Sequence, residues 1–122
     1  MLRTCLIAAH DPWFIQLLRV YSEESGFRVV QAYEGQDVLP AIHQESPQVI
    51  LMQVDLPGQV QTEEVLQSIC NDPQAMSIPL LVFSWEGHET LTSRQGGIAA
   101  HLTEPVTYDA FVEALNQAGI SL

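Results

Sequence analysis

Val49-Ile50-Leu51-Met52-Gln53-Val54-Asp55-Leu56-Pro57-Gly58 is the stretch on which the fold turns. Residues 49–54 are apolar apart from Gln53, and a short apolar run of this length reads as a parallel strand covered on both faces. Leu56-Pro57-Gly58 is a turn signature that closes it. Thr62-Glu63-Glu64 follows as a helix start, with a hydroxyl cap and two carboxylates facing the positive end of the helix dipole. Val65, Leu66 and Ile69 give that helix its inward face. Strand, turn, helix is the unit, and the rest of the chain repeats it without any internal sequence repeat.

Upstream, residues 5–9 are wholly apolar, and Asp11-Pro12 offers an N-cap followed by proline at the first helical position. Phe14, Leu17, Leu18 and Tyr21 recur at helical spacing until Gly26 stops the helix and residues 27–30 form a second strand. Residues 35–45 carry Val38, Leu39 and Ile42 at helical spacing, with Pro40 expected in the first turn or as a bend. Downstream, residues 80–83 read as a strand, 89–95 as a short helix and 99–102 as a fifth strand. Thr107 caps a last helix with Phe111, Val112 and Leu115 inward. Parallel neighbours need crossovers of helical length, so five such units imply an α/β fold: a parallel sheet wrapped on both faces.

The chain has 122 residues and 13.5 kDa, enough for one core and too few for two. With 47% hydrophobic residues and a mean hydropathy of +0.10, it has the apolar content to fold. Fifteen acids against four bases give a formal charge of -11 and a pI near 4.4, which opposes direct binding to nucleic acid or an anionic membrane. The four cations are Arg3, Arg19, Arg28 and Arg94, so no lysine is present. No apolar run approaches the ~18 residues of a membrane span, and His10 and Asp11 interrupt the N-terminal run before a signal-peptide core is complete. We expect a soluble, cytoplasmic protein. Cys5 and Cys70 match neither a CxxC motif nor a disulfide framework and read as small buried hydrophobes.

In open parallel sheets, sites form at the carboxyl ends of the strands near the topological switch point. That rule selects Ala9-His10-Asp11, Gln53-Val54-Asp55, Ser84-Trp85 and Thr103-Glu104-Pro105. With these residues in this order, and with Ile78-Pro79 before a strand ending in Ser84, the sequence resembles the response-regulator receiver family over essentially its whole length. The resemblance implies a flavodoxin-like, doubly wound, five-stranded parallel sheet with helices on both faces.

The family's chemistry is largely absent from the matching positions. The acidic pair that holds magnesium corresponds to Ala9 and His10, and a methyl and an imidazole do not replace two hard carboxylates. The phosphoacceptor aspartate corresponds to Gln53, whose amide is a poor nucleophile. The lysine corresponds to Glu104, before Pro105, with its charge reversed. Ser84 alone matches, as the switch hydroxyl, and His101 stands at the aromatic-switch position, where it either reports on that hydroxyl or faces solvent. No shift of alignment creates a lysine in a chain that has none.

Other residues have plainer readings beside the functional ones. His10 and Glu104 are either an ion pair bolting the edge, two solvated rim residues, or a weak transition-metal site with Asp11. Trp13 and Trp85 pack locally, cap the emptied acidic pocket or anchor a partner. His43 and His88 have no partner at metal-ligand spacing and read as solvated. Gly96-Gly97 resembles the family's turn and is not a phosphate cradle. Ser84, His10 and Asp11 lack the nucleophile elbow of a hydrolase.

The sequence thus implies one receiver-like domain over residues 1–122: a non-enzymatic pseudo-receiver of two-component or phosphorelay signalling, with no cofactor and no metal. It acts by protein–protein contact with a histidine kinase, an output domain or another signalling protein. The family's output face corresponds to residues 89–117, with a shortened fourth helix, and suits a homodimer. The chain ends just after the last helix, leaving open an N-terminal module of a longer protein. Two alternatives stand beside this reading: phosphoacceptance by Asp55 or Asp11, and small-molecule sensing in the vacated pocket.

Overall fold

The computed structural model describes residues 3–54, 58–59, 61–84, 98–103 and 106–120. Five strands, β1 (Arg3–Ala8), β2 (Phe27–Ala32), β3 (Val49–Gln53), β4 (Leu80–Ser84) and β5 (Ile98–Thr103), pair in parallel in the order β2-β1-β3-β4-β5. Among the described residues, four helices, α1 (Pro12–Glu24), α2 (Gly35–Glu45), α3 (Thr62–Asn71) and α4 (Tyr108–Gln117), cover the sheet. The helix expected at 89–95 lies outside the described residues. The chain order reverses beside β1, so the switch point falls between the carboxyl ends of β1 and β3.

Side-chain alternation along each strand divides the core in two. Cys5, Ile7, Val49 and Leu51 face Phe14 and Leu18 of α1 and Phe111 and Leu115 of α4. Leu6, Ala8, Ile50 and Met52 face Val38 and Ile42 of α2 and Val65, Leu66 and Ile69 of α3. β3 is buried along its whole length, as its apolar run requires of a central strand covered on both sides. Each fully buried Leu or Ile there contributes roughly 1.5–3 kcal/mol of transfer free energy.

The local stop and start signals act as the sequence indicates. Asp11 caps α1 with its side chain, Pro12 is the first helical residue, and Gly26 follows Ser25 with φ +88°, a left-handed position open to glycine. Thr107 accepts the amide of Ala110 at 3.1 Å and caps α4. One local expectation fails, and one branch of a second is excluded. Thr62 is the first residue of α3, and Gln61 stands at the N-cap without a side-chain bond. The Thr62 hydroxyl donates to the carbonyl of Val54 at the buried end of β3. Pro40 lies in the second turn of α2 with its ring exposed, where surrounding helix residues Val38 and Ile42 are anchored in the core.

Candidate functional site at the carboxyl edge of the sheet

β1 runs out at Ala8, and the chain continues through Ala9, which is fully buried, to exposed His10 and the α1 cap Asp11. Ala9 stays against β2: its amide donates to Ala32 O at 3.1 Å, and the Gln31 side chain donates to the carbonyls of Ile7 and Ala9 at 2.9 and 3.3 Å. Gln31 escaped the sequence reading, since a glutamine within a strand carries no signal of its partner.

Gln53 ends β3 fully buried. Its side-chain oxygen accepts the amide of His10 at 3.2 Å and, at the outer limit of hydrogen bonding, that of Asp11 at 3.5 Å. Two N–H donors facing one amide group fix which end is oxygen, because the NH2 end would oppose them. The Gln53 nitrogen is buried and has no partner among the described residues. Asp11 is also occupied: its carboxylate accepts the Trp13 amide at 3.0 Å. Trp13 itself is 86% exposed, so the local-packing reading of this indole is wrong; helix geometry turns it away from the buried Phe14 face.

Ser84, 1% exposed at the end of β4, lies 2.7 Å from the Nε2 atom of His101 on neighbouring β5. His101, half-buried on β5, thus meets the hydroxyl at hydrogen-bond distance. His101 also lines a cavity of about 350 Å³ between β5 and α4, with Leu102, Val106, Glu113 and Ala114. Across the same region, Tyr21 of α1 donates to Val106 O at 2.9 Å, and its ring meets those of Tyr108 and Phe111 at 5.4 and 5.5 Å. The structure therefore brings Gln53 to the β1–α1 turn and Ser84 to His101. Asp55, Trp85, His88, Gly96, Gly97, Glu104 and Pro105 lie outside the described residues, so the His10–Glu104 pairing and the Asp55 alternative do too.

Among the described residues, the donor set does not suit magnesium, the hard cation that the receiver pattern implies. Ala9 offers a methyl, the Gln53 oxygen is taken by backbone amides, and one Asp11 oxygen caps a helix. No group of three or more His, Cys, Asp or Glu among the described residues is arranged to hold a metal ion.

Two titratable groups elsewhere complete the electrostatic picture. His43, read as solvated, lies with its Nε2 atom 2.7 Å from Asp72 Oδ2; residues 29 apart in sequence meet because α2 and α3 end side by side. Desolvation works against the Asp72 carboxylate, but bonds from His43 and from the amides of Ala75 and Gln74 outweigh it and hold its pKa below the ordinary value. Cys5 is fully buried, and that burial pushes its thiol up to about 12, with a hydrogen bond to Ser22 acting weakly the other way.

The family model of the response regulator receiver domain matches residues 5–116. The polar-differentiation response regulator DivK of Brucella ovis is 27% identical over 118 residues, covering 94% of both chains, and that of Brucella anthropi is equally similar. Among solved structures, the bacteriophytochrome response regulator RtBRR superposes with a TM-score of 0.85 at 28% identity over all of this chain and 81% of its own. The receiver domain of a Pseudomonas aeruginosa PAO1 sensor histidine kinase, which has magnesium coordinated in its active-site cleft, superposes with a TM-score of 0.86. At 15% identity over 98% of this chain and 99% of that one, it shares the fold.

Proposed function

This chain belongs to the response regulator receiver domain family, and from that premise we propose that it is a pseudo-receiver, a signalling domain that works by protein–protein contact without aspartyl phosphorylation. One observation carries the reading: at the acceptor position, Gln53 presents a neutral amide oxygen already held by the β1–α1 turn. Phosphoryl transfer needs a nucleophilic carboxylate and a cation to neutralise the transferring group. Gln53, Ala9 and His10 supply neither, and Glu104 at the lysine position adds negative charge. The bond from Gln53 to the turn ties the end of β3 to the chain that follows β1.

The domain over residues 1–122 is then a fixed scaffold, cytoplasmic and non-enzymatic, whose information lies on its surfaces. Its partners are a histidine kinase, an output domain or another signalling protein. The β5–α4 region, with the His101-lined cavity, serves as its contact face, including for a homodimer. Adding beryllofluoride and magnesium to the 15N-labelled protein tests this reading. The amide signals of His10, Ser84 and His101 should stay in place, and saturable shifts there would instead support acceptance by Asp55 or Asp11.

A further inference from the structure

A second surface, on the opposite side of the sheet from α1 and α4, is independent of whether the carboxyl edge takes phosphate. Two cavities lie along the seam between α2 and α3. One, of about 260 Å³, is lined by Gly35, Gln36, Leu39, Pro40, Val65 and Ser68. The other, of about 520 Å³, includes Leu39, Glu64, Ser68, Asn71 and Asp72. Leu39 and Ser68 line both, so the two join into one groove between residues 35–40 of α2 and the length of α3 from Glu64. Leu39, Pro40 and Val65 make an apolar floor, and Glu64 stands exposed on the rim.

Charge around the groove has one sign. From residue 29 to residue 93 the sequence contains no Lys or Arg, while Asp37, Glu63 and Glu64 are exposed on α2 and α3. Among the described residues, the ion pairs that reach these helices are Arg28–Glu45 at 2.9 Å and His43–Asp72 at 2.7 Å, both at helix C-terminal ends. The middle and N-terminal parts of the groove keep their negative field. A second copy docked through this same groove would set its own Asp37, Glu63 and Glu64 against these acids, like charge facing like charge.

We propose that the α2–α3 groove is a docking site for a cationic amphipathic segment of a partner protein. Its apolar side chains would sit over Leu39, Pro40 and Val65, and its Lys or Arg side chains would reach Glu64 and its acidic neighbours. Apolar contact supplies the register, and the field raises the association rate and the salt sensitivity.

The probe is a synthetic peptide of about 14 residues with leucines at i, i+3, i+4 and i+7 and lysines elsewhere, titrated into the 15N-labelled full chain. Shifts should concentrate at Gln36, Leu39, Val65, Ser68 and Asn71, and affinity should fall about tenfold between roughly 50 and 500 mM salt. Glu64→Lys and Ser68→Arg, both at exposed positions, should each weaken binding about fivefold, and Glu23→Lys on α1 by about twofold at most. Shifts centred elsewhere, equal binding of a scrambled peptide of the same composition, or an equal loss in Glu23→Lys would overturn the proposal. So would a concentration-dependent dimer of the unliganded chain that protects the groove amides. Native-like spectra of the variants separate lost binding from lost folding, and the wild-type shift map stands without them.

Discussion

The side-chain oxygen of Gln53 accepts the backbone amide of His10 at 3.2 Å, so the end of β3 is fastened to the turn that follows β1. Both groups lie at the switch point of the sheet, between the carboxyl ends of β1 and β3. Here a neutral hydrogen bond holds the same two strands.

Removing that oxygen should cost stability out of proportion to its size. Gln53→Ala leaves the His10 amide without its acceptor and opens space in a fully buried site. We expect a loss of about 2–4 kcal/mol in urea unfolding, combining an unpaired buried donor with a cavity. Gln53→Met, which fills the space but cannot accept, should recover part of the loss.

Restoring the carboxylate alone should not restore chemistry. Gln53→Asp places an acid at the end of β3 but leaves Ala9, His10 and Glu104 unchanged. Incubated with acetyl phosphate and magnesium, this variant should remain unmodified by intact mass. A stoichiometric adduct would show that the acceptor was the only missing part.

Asp72 makes stability depend on pH at the acid end. Its pKa is lowered in the folded chain, so its contribution is fully present above the unfolded value, near 3.8, and is lost as pH falls through the lower folded value. Thermal unfolding of wild type and Asp72→Asn should therefore differ most near neutral pH, with the gap closing below about pH 4. A gap that widens on acidification would contradict the sign.

Cys5 should be chemically silent while the chain is folded. Alkylation needs the thiolate, and with the thiol pushed up to about 12 and no exposed surface, little thiolate exists at pH 8. Peptide mapping after iodoacetamide treatment should find Cys5 unmodified in the native protein and modified in denaturant.

Trp13 should contribute almost nothing to folding. At 86% exposure it has little apolar surface to lose, so Trp13→Ala should change unfolding free energy by no more than about 0.5 kcal/mol. A loss of several kcal/mol would show that the indole packs after all.

What the sequence made legible was what is local. The apolar run of β3, the Asp11-Pro12 start of α1, the Gly26 stop and the Thr107 cap each depend on neighbours within four residues, and each is realised. The family resemblance then placed Gln53, Ala9, His10, Ser84 and His101 at one edge. Contacts across the chain were not legible. His43 meets Asp72, Gln31 clasps β1 and Thr62 reaches back to Val54 because the packed helices and strands bring them together, and no spacing in the sequence encodes those meetings. The sequence left local packing of Trp13 open for the related reason that size and apolarity do not say which face of a helix meets the core.

The most direct test of the central claim is intact mass spectrometry of the wild-type chain after incubation with acetyl phosphate and magnesium. A spectrum with no phosphoryl adduct, under conditions that fully modify an ordinary receiver, is the predicted result. A stoichiometric adduct mapped to Asp55, Asp11 or any other side chain of the carboxyl edge would contradict it.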